Sequence, residues 1–268
     1  MSATRKPLDY SAVLRMLART WNLAHGRTEP ESESTWIEEM ATLVADGDPD
    51  IVCLQEVPVW ALGSLARWSR MQAIGAVAMR PRAGAMGRWL TALQPRRLRS
   101  ALTGQANAIL VHGKHGGVGP SATLELNDRT LRAETGKTLG LGRSDRKHWA
   151  RNRRVCQTLR VQIGQRAIVV ANMHLTHFDQ RLAEAELAKA SAFVDQVAGP
   201  ATPSLLGGDL NIPGSAVAAF APVSAAGYTR AASGIDHLLG RGLTLGRGPA
   251  PLDDRLRTHN GLRLSDHP

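Results

Sequence analysis

Short apolar runs alternate with amphipathic segments along the chain, and this alternation constrains its fold more than any other feature. Seven runs have the length and composition of β-strands. They span residues 16–21, 51–54, 106–111, 155–163, 167–173, 204–206 and 235–239. Apolar residues at helical spacing lie between several of them, after Thr35, from Pro58 onward and over residues 181–197. Strands and helices that must each cover an apolar face predict a layered α/β or α+β sandwich.

Local signals refine this prediction. Thr35 and Glu38 have the spacing of a capping box at a helix N-terminus, and residues 164–165 favour a hairpin turn between two neighbouring strands. The arginine-rich stretch 76–103 contains glycines and prolines, so it is expected to form a loop or insertion over one edge. No shift in composition marks a boundary in the 268 residues, and we therefore expect a single domain over residues 1–268.

Positive charge is concentrated in two parts of the chain. The formal net charge is +10, yet residues 57–124 contain nine lysines and arginines and no acidic residue. A second basic segment, residues 129–154, is opposed only by Glu134 and Asp145. Because such zones attract polyanions, a binding surface for an anionic ligand is one interpretation. A generally arginine-rich, solvated surface is the other.

The cysteines and the hydropathy pattern indicate the compartment. Cys53 and Cys156 both lie in apolar runs, which predicts two buried free thiols and a reducing environment. No apolar stretch approaches the roughly 20 residues of a membrane span. Asp9 and Arg15 interrupt the segment where a signal peptide would have its apolar core. The sequence therefore predicts a cytoplasmic protein without a membrane span, and we assume a monomer.

Polar residues follow the predicted strands at the points where the strands end. They are Asn22, Glu56, His174, Asp209, Asn211, Asp236, Asp266 and His267. Strand ends are rigid, so side chains there are held within the tolerance that chemistry requires. Several carboxylates placed together repel one another unless a hard cation neutralises them. Oxygen ligands with histidines set apart from them favour Mg²⁺ or Mn²⁺ over zinc.

These motifs resemble, in type and order, those of the endonuclease/exonuclease/phosphatase superfamily, which has the deoxyribonuclease I-like fold. They are Trp21-Asn22, Leu54-Gln55-Glu56, Asn172-Met173-His174-Leu175, Gly207-Gly208-Asp209-Leu210-Asn211, Gly234-Ile235-Asp236 and Ser265-Asp266-His267. The resemblance implies a four-layered α/β (α+β) sandwich of two packed mixed β-sheets flanked by helices, and Mg²⁺-dependent phosphoester hydrolysis. Family members usually continue from the last motif into a further core strand, so the resemblance also implies that this strand is missing.

The resemblance assigns roles to the residues that provide metal and water ligands. Glu56 matches the principal metal carboxylate, with Asn22 beside it holding metal or phosphate. Asp266 is expected to complete the metal and water shell. Asp209 matches the residue that orients or deprotonates the attacking water, and Asn211 matches the one that binds phosphate and water.

The same resemblance assigns roles to the histidines. His267 matches the histidine that contacts the scissile phosphate, with Asp236 fixing its tautomer and charge. His174 matches a second histidine that stabilises phosphate charge or assists the leaving group. Independently of the resemblance, Arg154 precedes a strand expected to run beside the site, which makes it a candidate phosphate ligand or a solvated surface residue. Three other histidines are interpreted as structural or surface groups: His25, His177 and His237.

Two departures indicate a branch of the family. The abasic-site endonuclease branch has an active-site tyrosine and a Tyr-x-Pro-Asn strand end, whereas the tyrosines here are Tyr10 and Tyr228 and the matching strand ends in Met173-His174. The chain resembles instead the two-histidine branch that contains deoxyribonuclease I, deadenylases and sphingomyelinases. The basic segments favour a nuclease acting on nucleic acid. A hydrolase of phospholipids, inositol phosphates or another small phosphoester is one alternative, and a catalytically silent nucleic-acid-binding protein is another.

Overall fold

The computed structural model describes residues 15–32, 34–81, 103–246 and 250–267. Its strands in chain order are β1 (Ala18–Asn22), β2 (Thr28–Glu29), β3 (Ile51–Pro58), β4 (Gln72–Met79), β5 (Gln105–Val111), β6 (Val118–Glu125), β7 (Val155–Ile163), β8 (Arg166–His174), β9 (Ser204–Asp209), β10 (Tyr228–Ser233), β11 (Asp236–Arg241), β12 (Thr258–His259) and β13 (Leu262–Leu264). Its α-helices are α1 (Ile37–Ala45), α2 (Leu65–Ser69), α3 (Arg129–Thr138), α4 (Arg143–Arg151), α5 (Gln180–Ala198), α6 (Ala221–Ala225) and α7 (Asp254–Arg257).

The strands form two large sheets and a small third one. The first sheet has the order β1-β3-β5-β4, with β1 parallel to β3 and the other neighbours antiparallel. The second has six strands in the order β10-β11-β9-β8-β7-β6, of which β8 and β9 are parallel. The third sheet joins β13 to β2, which places the C-terminal segment beside the loop that follows β1. Both large sheets are therefore mixed, as the resemblance implied.

The two large sheets pack face to face and helices cover their outer faces. Ile51 and Ile109 of the first sheet belong to one buried cluster with Leu159 and Val170 of the second. On the outside, the apolar face of α1 packs against the first sheet and that of α5 packs against the second. Each fully buried leucine or isoleucine contributes about 1.5–3 kcal/mol relative to exposure. The order helix, sheet, sheet, helix confirms the four-layered sandwich.

The local predictions differ in outcome. The strands and the hairpin between β7 and β8 are confirmed, but the capping box is wrong. Helix α1 begins after Trp36, and the hydroxyl of Thr35 is buried against Gly26 instead of capping the helix. The helix expected from Pro58 onward is replaced by a 3₁₀ turn (Val59–Ala61) and the short α2, because Gly63 lies between them.

Two further predictions concern the loop and the thiols. Residues 76–79 belong to strand β4, so the predicted loop begins later, and residues 82–102 lie outside the described residues. Cys53 and Cys156 are buried free thiols, as expected. No helix in the described part of the chain is long and apolar enough to cross a membrane.

Candidate active site

The strand-end residues converge at one edge of the sandwich. Asn22 ends β1, His174 ends β8 and Asp209 ends β9, while Glu56 lies near the end of β3. The strand register places Asp209 opposite both His174 on β8 and Asp236 at the start of β11. Since β1 runs parallel to β3 and β8 to β9, these carboxyl ends meet at a single edge, where α/β sheets commonly bind ligands.

The two glycines before Asp209 allow the strands to approach closely. Gly208 has a φ of +149°, and a Cβ added there would lie 1.9 Å from the carbonyl oxygen of Met173. A Cβ on Gly207 would lie 3.1 Å from Sγ of Cys53 on the facing sheet. The sequence Gly-Gly-Asp therefore lets β9 fit tightly between β8 and the other sheet, which fixes the position of the carboxylate that follows.

The Asp209 carboxylate is the centre of the polar contacts at this edge, and it is 1% exposed. Its Oδ2 accepts a hydrogen bond from Nδ2 of Asn22 at 2.9 Å and lies 3.5 Å from Nε2 of His174. Its Oδ1 accepts a hydrogen bond from the backbone N–H of Asn211 at 3.0 Å. The Asn211 side chain in turn donates to the carbonyl oxygen of Leu175 at 2.9 Å, which ties the β9 loop to the end of β8.

A histidine–carboxylate pair lies on one side of Asp209. His267 Nδ1 is 2.9 Å from Oδ2 of Asp236, and His267 Nε2 is 3.6 Å from Oδ2 of Asp209. Burial raises the pKa of Asp209 to about 6, and the charge of Asp236 adds to that shift. Burial opposes a charge on His267, but the hydrogen bond and charges of the neighbouring carboxylates outweigh it and raise its pKa to about 9. At neutral pH His267 is therefore an imidazolium.

The C-terminal Ser265-Asp266-His267 motif is held by its neighbours. The hydroxyl of Ser265 donates to the carbonyl oxygen of Asn22 at 2.6 Å. The carbonyl oxygen of His267 accepts from Nε1 of Trp21 at 3.2 Å and from Nη1 of Arg257 at 2.5 Å. These contacts fix His267 relative to β1.

Glu56 lies on the other side of His174, with a histidine that the sequence interpretation did not place at the site. His25 Nε2 is 3.1 Å from Oε2 of Glu56, and His174 Nδ1 is 3.8 Å from Oε1. Gln105 Nε2 lies 3.0 Å from His174 Nδ1. Burial, together with the positive charge of Arg154, holds the pKa of His174 well below its usual value. The interpretation of His25 as a structural or surface group missed this contact, although His25 follows the strand-end Asn22 by three residues.

Arg154 is buried beside the same edge. The residue is 6% exposed, and the charges of Glu186, Glu56 and Asp209 all act on its guanidinium. Burial lowers its pKa, and its Nη2 lies 3.4 Å from Nδ1 of His177. Its Nε is buried and has no hydrogen-bond partner among the described residues. Arg154 is thus not a solvated surface residue, and His177 lies next to the site.

Glu186 supports this part of the site from helix α5. Its buried carboxylate accepts hydrogen bonds from Nε1 of Trp149 at 2.7 Å and from both the N–H and the hydroxyl of Thr176, at 2.8 and 2.7 Å. Thr176 follows His174 by two residues, so these bonds fix the chain just beyond that histidine. Glu186 lies inside the apolar face predicted over residues 181–197, and a glutamate inside such a face is the sequence signal for a buried role.

One group of side chains has the spacing of a cation site. Single ligand atoms of Asp209, Asp236 and His267 lie within 4.8 Å of one another. Oδ1 of Asp236 is buried and has no hydrogen-bond partner among the described residues, so a lone pair there is free for another partner. The carboxylate oxygens of Asp209 and Asp236 suit a hard divalent cation, whereas protonated His267 offers no lone pair and lies beside them as a positive charge. The residues present therefore fit such an ion.

The three predicted metal ligands are placed differently. Glu56 is partly exposed at the edge, where only histidines approach its carboxylate among the described contacts. Asn22 has its amide nitrogen towards Asp209, and its Oδ1 accepts a hydrogen bond from the N–H of Ala24. Asp266 is exposed, and no described contact joins it to Glu56. The structure thus brings Asn22 to the centre and leaves Asp266 at the rim.

The fold and the strand-end site together define a class of enzymes, and the sequence identifies the family. The model of the Endonuclease/Exonuclease/phosphatase family matches residues 20–267. The chain belongs to this family and is a phosphoester hydrolase. Members generally use divalent metal ions, which agrees with the acidic and histidine cluster at the strand ends.

Several solved structures have the same fold. A functionally unknown conserved protein from Enterococcus faecalis V583 superposes with a TM-score of 0.60 at 17% identity, covering 93% of this chain and 95% of that one. Humanised TDP2 from D. rerio gives 0.56 at 15% identity, with coverage of 92% and 93%. The mannosyl-6-phosphatase Bt3783 from Bacteroides thetaiotaomicron VPI-5482 gives 0.53 at 13% identity, with coverage of 76% and 75%. No curated protein matches the sequence significantly.

Proposed function

We propose that this protein is a Mg²⁺- or Mn²⁺-dependent phosphodiesterase that cleaves nucleic acid by in-line attack of water. The observation that carries the proposal is the buried Asp209 carboxylate, with His174, His267 and Asn22 within 3.6 Å of it. An in-line attack requires a base that orients water, and it builds charge on the phosphate that neighbouring cations and hydrogen-bond donors stabilise. All of these groups are present at this edge.

The charge of each site residue indicates its role in the reaction. Asp209, ionised at neutral pH, accepts a hydrogen bond from the attacking water and orients it. The imidazolium of His267 stabilises phosphate charge, and Asp236 keeps it protonated. His174 is neutral, and in the tautomer that accepts from Gln105 at Nδ1 it presents an N–H at Nε2. The presence of two histidines beside Asp209 supports the two-histidine branch.

A bound divalent cation supplies Lewis-acid stabilisation of the phosphate and neutralises the carboxylates. We propose Glu56 as its principal ligand, with Asn22 and Asp266 as further ligands. Arg154 and Asn211 then bind phosphate oxygens from the side of β7 and β9. The unpaired buried Nε of Arg154 supports its part in this arrangement.

The choice of nucleic acid rests on the distribution of charge. In the described residues, helix α4, which precedes Arg154 in the chain, exposes Arg143, Lys147 and Arg151. Cationic surfaces of this kind bind the phosphate backbone. A small phosphoester is the second candidate, because the superposed Bt3783 is named a mannosyl-6-phosphatase.

The direct test is hydrolysis of bis-p-nitrophenyl phosphate with Mg²⁺ or Mn²⁺ and with EDTA, followed by plasmid DNA, RNA, sphingomyelin and inositol phosphates assayed side by side. We expect turnover that EDTA abolishes, and cleavage of DNA or RNA in preference to the other substrates. Nucleic-acid binding without turnover would exclude the enzymatic proposal. Turnover of sphingomyelin or inositol phosphates without nicking of DNA would show that the substrate is a small or lipid phosphoester and not nucleic acid.

Replacing Glu56 with glutamine tests the metal assignment. We expect the Mg²⁺ concentration for half-maximal activity to rise by about 10-fold or more, because an amide oxygen lacks the charge that a hard cation prefers. A Mg²⁺ titration of kcat measures this, with Glu38→Gln on the exposed face of α1 as the matched control. If Glu56→Gln keeps full activity at limiting Mg²⁺, the principal ligand lies elsewhere.

A further inference from the structure

Phe178 is exposed at the rim of the site. It is 36% exposed, whereas the other phenylalanines, tyrosines and tryptophans of the described residues are buried or half-buried. The ring of His148 from α4 meets it at a centroid distance of 4.4 Å and an interplanar angle of 75°. The ring of His177 meets it at 5.8 Å and 85°. Two edge-on contacts therefore hold the Phe178 ring in one orientation while part of it faces solvent.

This aromatic group is directly connected to the active site. His177 precedes Phe178 in the chain and lies 3.4 Å from the guanidinium of Arg154. Arg154 in turn feels the charges of Glu56 and Asp209. His177 therefore contacts both the guanidinium of Arg154 and the Phe178 ring, so the ring lies on the side of the site where Arg154 would hold a substrate phosphate.

Cationic side chains continue the surface away from the site. Lys147 and Arg151 are exposed on α4, the helix that carries His148. Arg151 also lines a groove with Arg80 and Arg153. Glu125, the acidic residue among those that line this groove, forms an ion pair with Arg153 at 2.7 Å. Among the lining residues, Arg80 and Arg151 therefore have no acidic partner. The order is therefore a phosphate ligand, an aromatic ring and then a basic groove.

We propose that Phe178, held by His148 and His177, is a stacking platform for an unpaired nucleobase adjacent to the scissile phosphate, and that the groove at Arg80 and Arg151 binds the backbone beyond it. This inference rests on the proposed function and narrows its substrate to single-stranded nucleic acid or unpaired ends. A base within a duplex has both faces covered by its neighbours, whereas an unpaired base offers a face to an aromatic ring.

The test compares Phe178→Ala with the wild-type protein on a fluorescent single-stranded oligonucleotide with Mg²⁺. We expect kcat/KM to fall by about 5- to 100-fold, the range for loss of one base–aromatic contact, mainly through KM. Phe178→Trp, which keeps an aromatic ring at this position, should retain most of the wild-type kcat/KM. Leu17→Ala, an exposed apolar residue at the other end of β1, is the matched control and should behave as wild type.

A second measurement identifies the base. Oligonucleotides with one abasic nucleotide at successive positions should show one position at which wild-type kcat/KM falls by the same factor and Phe178→Ala causes no further loss. A loss under twofold for Phe178→Ala, or effects that multiply at every position, would overturn the platform while leaving the nuclease intact. A wild-type protein that hydrolyses bis-p-nitrophenyl phosphate but no oligonucleotide would overturn the nucleic-acid proposal itself, and the platform with it.

Discussion

Replacing Asp209 with asparagine should lower kcat by about 10²- to 10⁴-fold, the usual contribution of a positioned base, while the protein stays folded. Asparagine keeps the shape of the side chain and an oxygen that accepts from the N–H of Asn211. Its neutral amide cannot take a proton from water or accept from Asn22 at the second position. Because burial of the ionised carboxylate is itself unfavourable, as its raised pKa indicates, the lost hydrogen bond is offset and the melting temperature should not fall much.

The measurement is steady-state hydrolysis at saturating Mg²⁺ together with a thermal melt. Asp46→Asn, an exposed aspartate after α1, is the matched control. Asp209→Ala should be as inactive but less stable, because the buried amide of Asn22 and the N–H of Asn211 lose their acceptor, at a cost of about 1–3 kcal/mol for each. If Asp209→Asn keeps more than a tenth of the wild-type kcat, Asp209 is not the base that activates water.

The convergence of the site residues at one edge could be predicted because it follows from the order and direction of the strands. Asn22, His174 and Asp209 each end a strand of an α/β sandwich, and parallel neighbours in such sheets end at the same edge. The motif order indicated the family, and the family fixes which strands are neighbours. The acid–histidine pair of Asp236 and His267 was also predicted as a pair, and the structure places their polar atoms 2.9 Å apart.

Contacts that depend on tertiary packing could not be read from the sequence. His25 meets Glu56 because a 3₁₀ turn after β1 carries it towards the end of β3. Gln105 reaches His174 only because the two large sheets pack face to face. The capping box at Thr35 is wrong in a region of tertiary contact, where the Thr35 hydroxyl lies close to Gly26 and Trp36 occupies the N-cap position. A local sequence pattern predicts the contacts of a side chain only where no segment distant in sequence packs against it.

The hydrogen bond between Asp236 and His267 carries a prediction about pH. In Asp236→Asn the burial that lowers the pKa of His267 remains, and the largest of the carboxylate charges that raise it is lost, while those of Asp209 and Asp266 stay. The basic limb of kcat/KM, expected near the pKa of about 9 in the wild type, should move down towards 6.5, the ordinary histidine value. At pH 8 we therefore expect a loss of about 10-fold or more, since a shift of one pKa unit is a tenfold change in the protonated fraction above it.

Profiles of kcat/KM between pH 5 and 10 measure this shift, and metal-free stability gives a second readout. A folded pKa above the unfolded one means that protonated His267 stabilises the wild type fully below about pH 6.5 and that this contribution is lost as pH rises through about 9. In Asp236→Asn the contribution should be smaller, so unfolding midpoints in EDTA should decline less across that window than those of the wild type. His267→Gln should remove the basic limb altogether. If the basic limb of kcat/KM stays near pH 9 in either variant, that limb reports the titration of a group other than His267.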